Sequence, residues 1–185
     1  MKNSQKFGFK VTIIGDGSVG KTSLIKKFTQ GSFQKEYIKT IGAQFSEYDA
    51  EISGDTIRLL FWDIAGQDDF LFLHPSFYRE SRVAIIVYSL EENDLGKRSF
   101  EHITDWHEDI KKYCGDIPIV VFANKVDLIE KNNLDKKNIQ EFVKERDFLG
   151  YYLTSAKTGQ GVHEAFNFII KELYKKSKAL SSELK

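Results

Sequence analysis

One cysteine and two prolines are spread over 185 residues, and each scarcity closes off an architecture. Cys114 has no partner for an intramolecular disulfide, and no group of Cys and His has zinc-ligand spacing, so neither a disulfide framework nor a structural metal is expected. With 14% aromatic residues and few prolines, long disordered tracts are not expected either. No apolar run reaches the ~18 residues of a membrane span, and the start, MKNSQKFGFKVTII, lacks a signal-peptide pattern. A soluble chain in a reducing, cytoplasmic compartment is the simplest setting.

Charge of one sign is missing as well. Lys and Arg number 27 against 27 Asp and Glu, a formal net charge of +0, so no whole-molecule field recruits nucleic acid. Lys2 stands where myristoylation requires Gly, and residues 180–185 hold no cysteine, so no lipid anchor is expected in this sequence. Lys171, Lys175, Lys176 and Lys178 could approach an anionic membrane or form a plain solvated helix face. The expected location is cytoplasmic, with a peripheral place at a membrane's cytoplasmic face left open.

What the chain does have is enough apolar residue, 41%, for one full core. We expect a single domain over 1–178 and a short tail over 179–185. Apolar runs of strand length fall at 9–14, 45–52, 57–63, 83–89, 117–123 and 151–154. Several are nearly continuous, as in parallel strands covered on both faces. Between them, Phe100, Ile103, Trp106, Ile110 and Tyr113 share one helical face. Val162, Ala165, Phe166, Ile169, Ile170 and Leu173 share another. Runs 45–52 and 57–63 are separated by hairpin spacing. The pattern predicts a doubly wound α/β domain whose six-stranded sheet is mostly parallel with one antiparallel edge strand.

After the first strand comes Gly15-Asp16-Gly17-Ser18-Val19-Gly20-Lys21-Thr22-Ser23, a P-loop pattern followed by a helix carrying Leu24, Ile25 and Phe28. Successive amides and a helix N-terminus would converge on a phosphate, with Lys21 on the outer phosphates and Thr22 on Mg²⁺. The loop by itself does not separate ATP from GTP. Asn124-Lys125-Val126-Asp127 follows run 117–123 at the edge where open α/β sheets hold ligands. The Asp127 carboxylate can accept from both N1–H and the exocyclic amine of guanine, whereas adenine would leave it unpaired. Asn124 can hold the loop and purine N7, and the Lys125 stem can cover the base. In the next loop, Thr154-Ser155-Ala156-Lys157-Thr158-Gly159, the Ala156 amide can donate to guanine O6. Asp63, in Trp62-Asp63-Ile64-Ala65-Gly66-Gln67, can reach Mg²⁺ through water, Gly66 can approach the γ-phosphate, and Gln67 can orient an attacking water. Thr40 can add a hydroxyl to the metal.

Together GDGSVGKT, KTIGAQF, WDIAGQ, NKVD and TSAKTG resemble the five guanine-nucleotide motifs of the Ras superfamily, in order and over nearly the whole chain. IGAQF, the run Phe77, Tyr78 and Arg79, and VAIIVYSL are similar to the Rab family within it. The resemblance implies a small G domain of the P-loop NTPase class that cycles between GTP and GDP with Mg²⁺. It makes Lys21, Gly66 and Gln67 the catalytic set, Thr22, Thr40 and Asp63 the metal set, and Phe33 an edge-on contact for the base. It also implies an exchange factor, a GTPase-activating protein and effectors that read Thr40 to Phe45, Trp62 and Gln67 to Tyr78, and a monomer regulating membrane traffic or a related signal. Phe45, Trp62 and Phe77 resemble the aromatic triad that Rab partners read, although packing beneath the switch segments would also account for them. The chain departs from Rab sequences at Ile64, at Asp68 and Asp69, and in a longer stretch over 91–99. His74, His102, His107 and His163 belong to no nucleophile motif and read as surface or packing residues. An ATP-using enzyme would leave NKVD and TSAKTG without a role; a scaffold that holds GTP without turnover stays open at this point.

Overall fold

The computed structural model describes residues 4–29, 34–38, 43–64, 74–130 and 136–183. In chain order the elements are β1 (Lys6–Ile14), α1 (Lys21–Thr29), β2 (Gln34–Ile38), β3 (Ala43–Ile52), β4 (Asp55–Ile64), α2 (His74–Tyr78), β5 (Val83–Ser89), α3 (Asp94–Glu101), α4 (Ile103–Cys114), β6 (Ile119–Asn124), a 3-10 turn (Val126–Leu128), α5 (Lys136–Glu145), β7 (Gly150–Leu153) and α6 (Val162–Glu183). The sheet order is β2-β3-β4-β1-β5-β6-β7, and β4, β1, β5, β6 and β7 run parallel.

All six strands expected from the apolar runs are present, and the expected antiparallel strand is β3. A seventh, β2, pairs antiparallel with β3 and takes over the outer edge. Its sequence, QKEYI, has no apolar run to betray it. Alternation along the strands feeds two cores. Val11, Ile13, Leu59, Phe61, Ile85, Val87, Val120 and Phe122 pack under α1 and α6, while Ile14, Ile64, Ala84, Ile86, Val121 and Ala123 pack on the opposite face beneath α2 and α4. Strands β5 and β6 are buried along their entire length, which is why they read as unbroken apolar runs.

Two helical boundaries differ from expectation. The amphipathic stretch around Phe100 to Tyr113 divides at His102, which ends α3 and begins α4 with φ −71° and ψ −6°. Helix α6 continues to Glu183, through most of the segment read as a tail.

Far from the sheet's carboxyl edge, Asp55 ties three elements together. It accepts from the Gln5 backbone N–H (2.9 Å), the Tyr174 hydroxyl (2.8 Å) and Lys178 Nζ (2.6 Å), joining the β3–β4 hairpin to β1 and α6. Its carboxyl is held down at about 2, chiefly by Lys178 and then by the Gln5 amide. A carboxylate with a lowered folded pKa stabilises the fold above its unfolded value of ~3.9 and loses that contribution as pH falls. Asp55→Asn should therefore lower the melting temperature near neutral pH, and the gap to wild type should close between about pH 4 and pH 2. Melting curves across that range test it; a gap that stays constant at low pH would contradict the linkage.

Candidate functional site

Parallel strands bring their carboxyl ends to one edge, and the loops after β1, β6 and β7 meet there beside Asp63 of β4. The loop between β1 and α1 is shaped by close approach. Gly15 (φ +133°) lies so near β5 that a Cβ would sit 2.1 Å from the Val87 carbonyl oxygen. Gly20 (φ +101°) would place one 2.3 Å from Asn124 Nδ2. Neither position admits a side chain, so the glycines at both ends of the motif are required by the backbone. Val19 is buried; Gly17 is half-buried, and Ser18 and Ser23 are exposed.

Lys21 opens α1 at 7% exposure, and its Nζ donates to the carbonyls of Gly15 and Asp16, both at 2.7 Å. Burial pushes its pKa down to about 8, with Asp63 and Asp16 pulling it back up. The Thr22 hydroxyl donates to Asp63 Oδ2. Burial raises the Asp63 carboxyl, against the pull of Thr22 and Lys21. A cation and an anion are thus both desolvated at one spot. An anionic phosphate would favour charged Lys21 and a divalent cation would favour charged Asp63. A hydroxyl and a carboxylate are hard oxygen donors of the kind Mg²⁺ takes.

At the other end of the site Asn124, 1% exposed, acts as a tie between three loops. Its Nδ2 donates to the Val19 carbonyl (2.8 Å), and its Oδ1 accepts from the Ala156 amide (3.1 Å) and the Thr154 hydroxyl (3.4 Å). Asn124 is also expected to reach purine N7; its Nδ2 gives one N–H to Val19 and carries a second, which that contact would use. The Ala156 amide, expected on guanine O6, is shared with Asn124, so a base oxygen would have to compete for it. Asp127 sits in the 3-10 turn with Oδ1 accepting from the Ser155 hydroxyl at 2.6 Å, and Ser155 is itself fully buried. Lys157 is exposed on the turn that follows.

Lys125 holds a left-handed conformation (φ +67°), and its Nζ pairs with Glu91 Oε2 at 2.5 Å. Lys125 lowers the Glu91 carboxyl, and the Ser89 hydroxyl adds a second hydrogen bond. Sequence reasoning missed Glu91; its only trace there was the lengthened stretch over 91–99. Phe33, Thr40, Gly66 and Gln67 lie outside the described residues, so the structure groups Gly15 to Ser23, Asp63, Asn124, Lys125, Asp127, Ser155, Ala156 and Lys157 without them.

Beside the site the three aromatic residues touch in series: Phe45 meets Trp62 edge-on at 4.4 Å between centroids, and Trp62 lies 5.9 Å from Phe77. Phe77 is buried, while Phe45 and Trp62 are half-buried. Lys10 Nζ stands 3.5 Å over the Trp62 ring. No helix among the described residues is long and apolar enough to cross a membrane.

A model of the Ras family matches residues 10–175. The Ras-related protein Rab-21 of Geodia cydonium is 35% identical over 165 residues, covering 89% of this chain and 70% of that protein. The Ras-related protein Rab-21 of Bos taurus is 35% identical over 170 residues, covering 90% and 73%.

Proposed function

This chain belongs to the Ras family of small GTPases, and on that premise we propose that it is a Rab-like switch whose nucleotide lies across the loops joined by Asn124. That tie is the observation that carries the reading. One buried amide fixes the phosphate loop at Val19 and the base loop at Ala156, so both halves of a guanine nucleotide meet one rigid frame.

Within that frame the backbone of residues 15–20 and Lys21 take the phosphates, Asp127 takes the guanine edge, Lys125 covers the base, and Ser155 aims Asp127. Thr22 and Asp63, with Thr40, would hold Mg²⁺, which when bound neutralises charge on the β- and γ-phosphate oxygens. Lys21 leaves its two carbonyl partners for phosphate oxygens, and Gln67 orients the water for in-line attack while the Gly66 amide meets the γ-phosphate. The transition state is loose, with charge spread over the three equatorial oxygens and developing on the leaving diphosphate, so catalysis comes from positioning and charge neutralisation. The aromatic series Phe45, Trp62 and Phe77, with the segments on either side, is the face offered to exchange factors, GTPase-activating proteins and effectors. The regulated process is membrane traffic, with the protein a monomer acting at the cytoplasmic face of a membrane.

Thr22→Asn is the test of the metal end of the site. It removes the hydroxyl shared with Asp63, and the triphosphate depends more on Mg²⁺ than the diphosphate does. The variant should hold GDP in preference to GTP by about tenfold or more relative to wild type. Dissociation constants for both nucleotides decide; equal losses would remove Thr22 from the metal.

A further inference from the structure

Asp16 is the single acidic residue in the segment 15–22, and a carboxylate beside bound phosphates opposes them electrostatically. Here it is 17% exposed with both oxygens taken: Oδ2 lies 2.8 Å from His102 Nδ1, and Oδ1 accepts from Trp106 Nε1 at 2.9 Å. A carboxylate offers only lone pairs, so His102 Nδ1 carries the proton. His102 sits at the break between α3 and α4, its own amide still donating to the Arg98 carbonyl (2.9 Å) and its carbonyl accepting from the Trp106 amide (3.0 Å). Two donors four residues apart therefore lie on one face of a helical turn and grip the phosphate loop. The Asp16 backbone carbonyl accepts from Lys21. Asp16 is thus fixed at its side chain by α4, between the Gly15 and Val19 anchors, and that hold stays when Lys21 turns from its carbonyl to the phosphates.

We infer that His102 and Trp106 are positioning residues for nucleotide retention: through Asp16 they set the phosphate loop and turn its one negative charge toward α4. The inference rests on the reading that residues 15–22 hold the phosphates. It concerns residues outside every nucleotide motif, and one of them, His102, would otherwise pass as a half-exposed surface histidine.

The experiment is dissociation of fluorescently labelled GDP, chased with excess GDP, together with amide hydrogen exchange over residues 15–20 and melting temperature. His102→Ala should speed release by about tenfold, as expected for losing a hydrogen bond to a charged group, and raise loop exchange while leaving the melting temperature close to wild type. His102→Asn, whose Nδ2 occupies the place of Nδ1, should return release to within about twofold of wild type. Trp106→Phe keeps a ring and removes the donor, and should move both readouts in the direction of His102→Ala. Combining His102→Ala with Asp16→Ala should release GDP no faster than Asp16→Ala alone, since one contact is lost only once. Release and exchange unchanged in His102→Ala, or effects that add in the double variant, would overturn the clamp. A wild-type chain that fails to bind labelled GDP would sink the guanine reading instead, and loop exchange in His102→Ala and Trp106→Phe would still decide the clamp.

Discussion

Asp127→Asn is expected to lose about 10² to 10⁴ in affinity for GDP and to prefer xanthosine diphosphate, the effect of removing two charge-assisted hydrogen bonds. The carboxylate accepts only, so it matches the two donors on guanine, N1–H and the exocyclic amine. Ser155 supplies the orientation: its hydroxyl donates to Oδ1 at 2.6 Å, and it is in turn held by the Thr158 amide, which donates to its oxygen at 3.0 Å. An Asn in this place presents one acceptor and one NH₂ donor. The donor faces guanine's amine, but it meets a carbonyl oxygen on xanthine. Displacement assays with both diphosphates give the answer, and unchanged GDP affinity would take Asp127 out of the base site.

Unassisted hydrolysis should be slow, near the ~10⁻⁴ to 10⁻³ s⁻¹ of switches that lack an arginine in the site, and a partner that inserts one should raise it by about 10³ to 10⁵. The sequence holds five arginines, Arg58, Arg79, Arg82, Arg98 and Arg146, and none lies within 31–40. Arg58 is engaged with Asp49 and Glu47 on the hairpin, Arg98 with the Asp94 carbonyl, and Arg146 with Thr104 and the Phe142 ring. Arg79 and Arg82 stand at the entry to β5, the end of the sheet opposite the phosphate loop. Lys35 and Lys39 are nearer in sequence, but an ammonium is a point charge and a poor substitute for a planar fork. Asp68 and Asp69 beside Gln67 would attract a basic finger, so stimulation should weaken as salt rises. A single-turnover rate above about 1 s⁻¹ without a partner would show a catalytic group within the chain itself.

The sheet and the nucleotide loops were legible because burial on two faces and close backbone approach each write a pattern into contiguous residues. VAIIVYS reads as a central strand, and GDGSVGKT reads as a phosphate loop, since Gly15 and Gly20 have no room for a Cβ. Strand β2 escaped because a polar edge strand needs no apolar run. Asn124 is legible as a residue that holds its loop and the base, but the partners of that tie, Val19 and Ala156, lie far apart in sequence and leave no pattern. The clamp on Asp16 joins residues 86 and 90 positions away, and Glu91 reaches Lys125 across 34. Side-chain contacts of that separation leave no periodicity behind, and a lone histidine on a helix gives no signal of what it touches.

The most direct measurement is chromatographic identification of the nucleotide that stays with the purified chain in Mg²⁺ and is released on denaturation. The frame described here, with Asn124 tying the two loops and Asp127 facing the base, predicts close to one equivalent of GDP or GTP. Recovery of adenine nucleotide in its place, or of no nucleotide from a chain that also fails to take up added GDP, would contradict it.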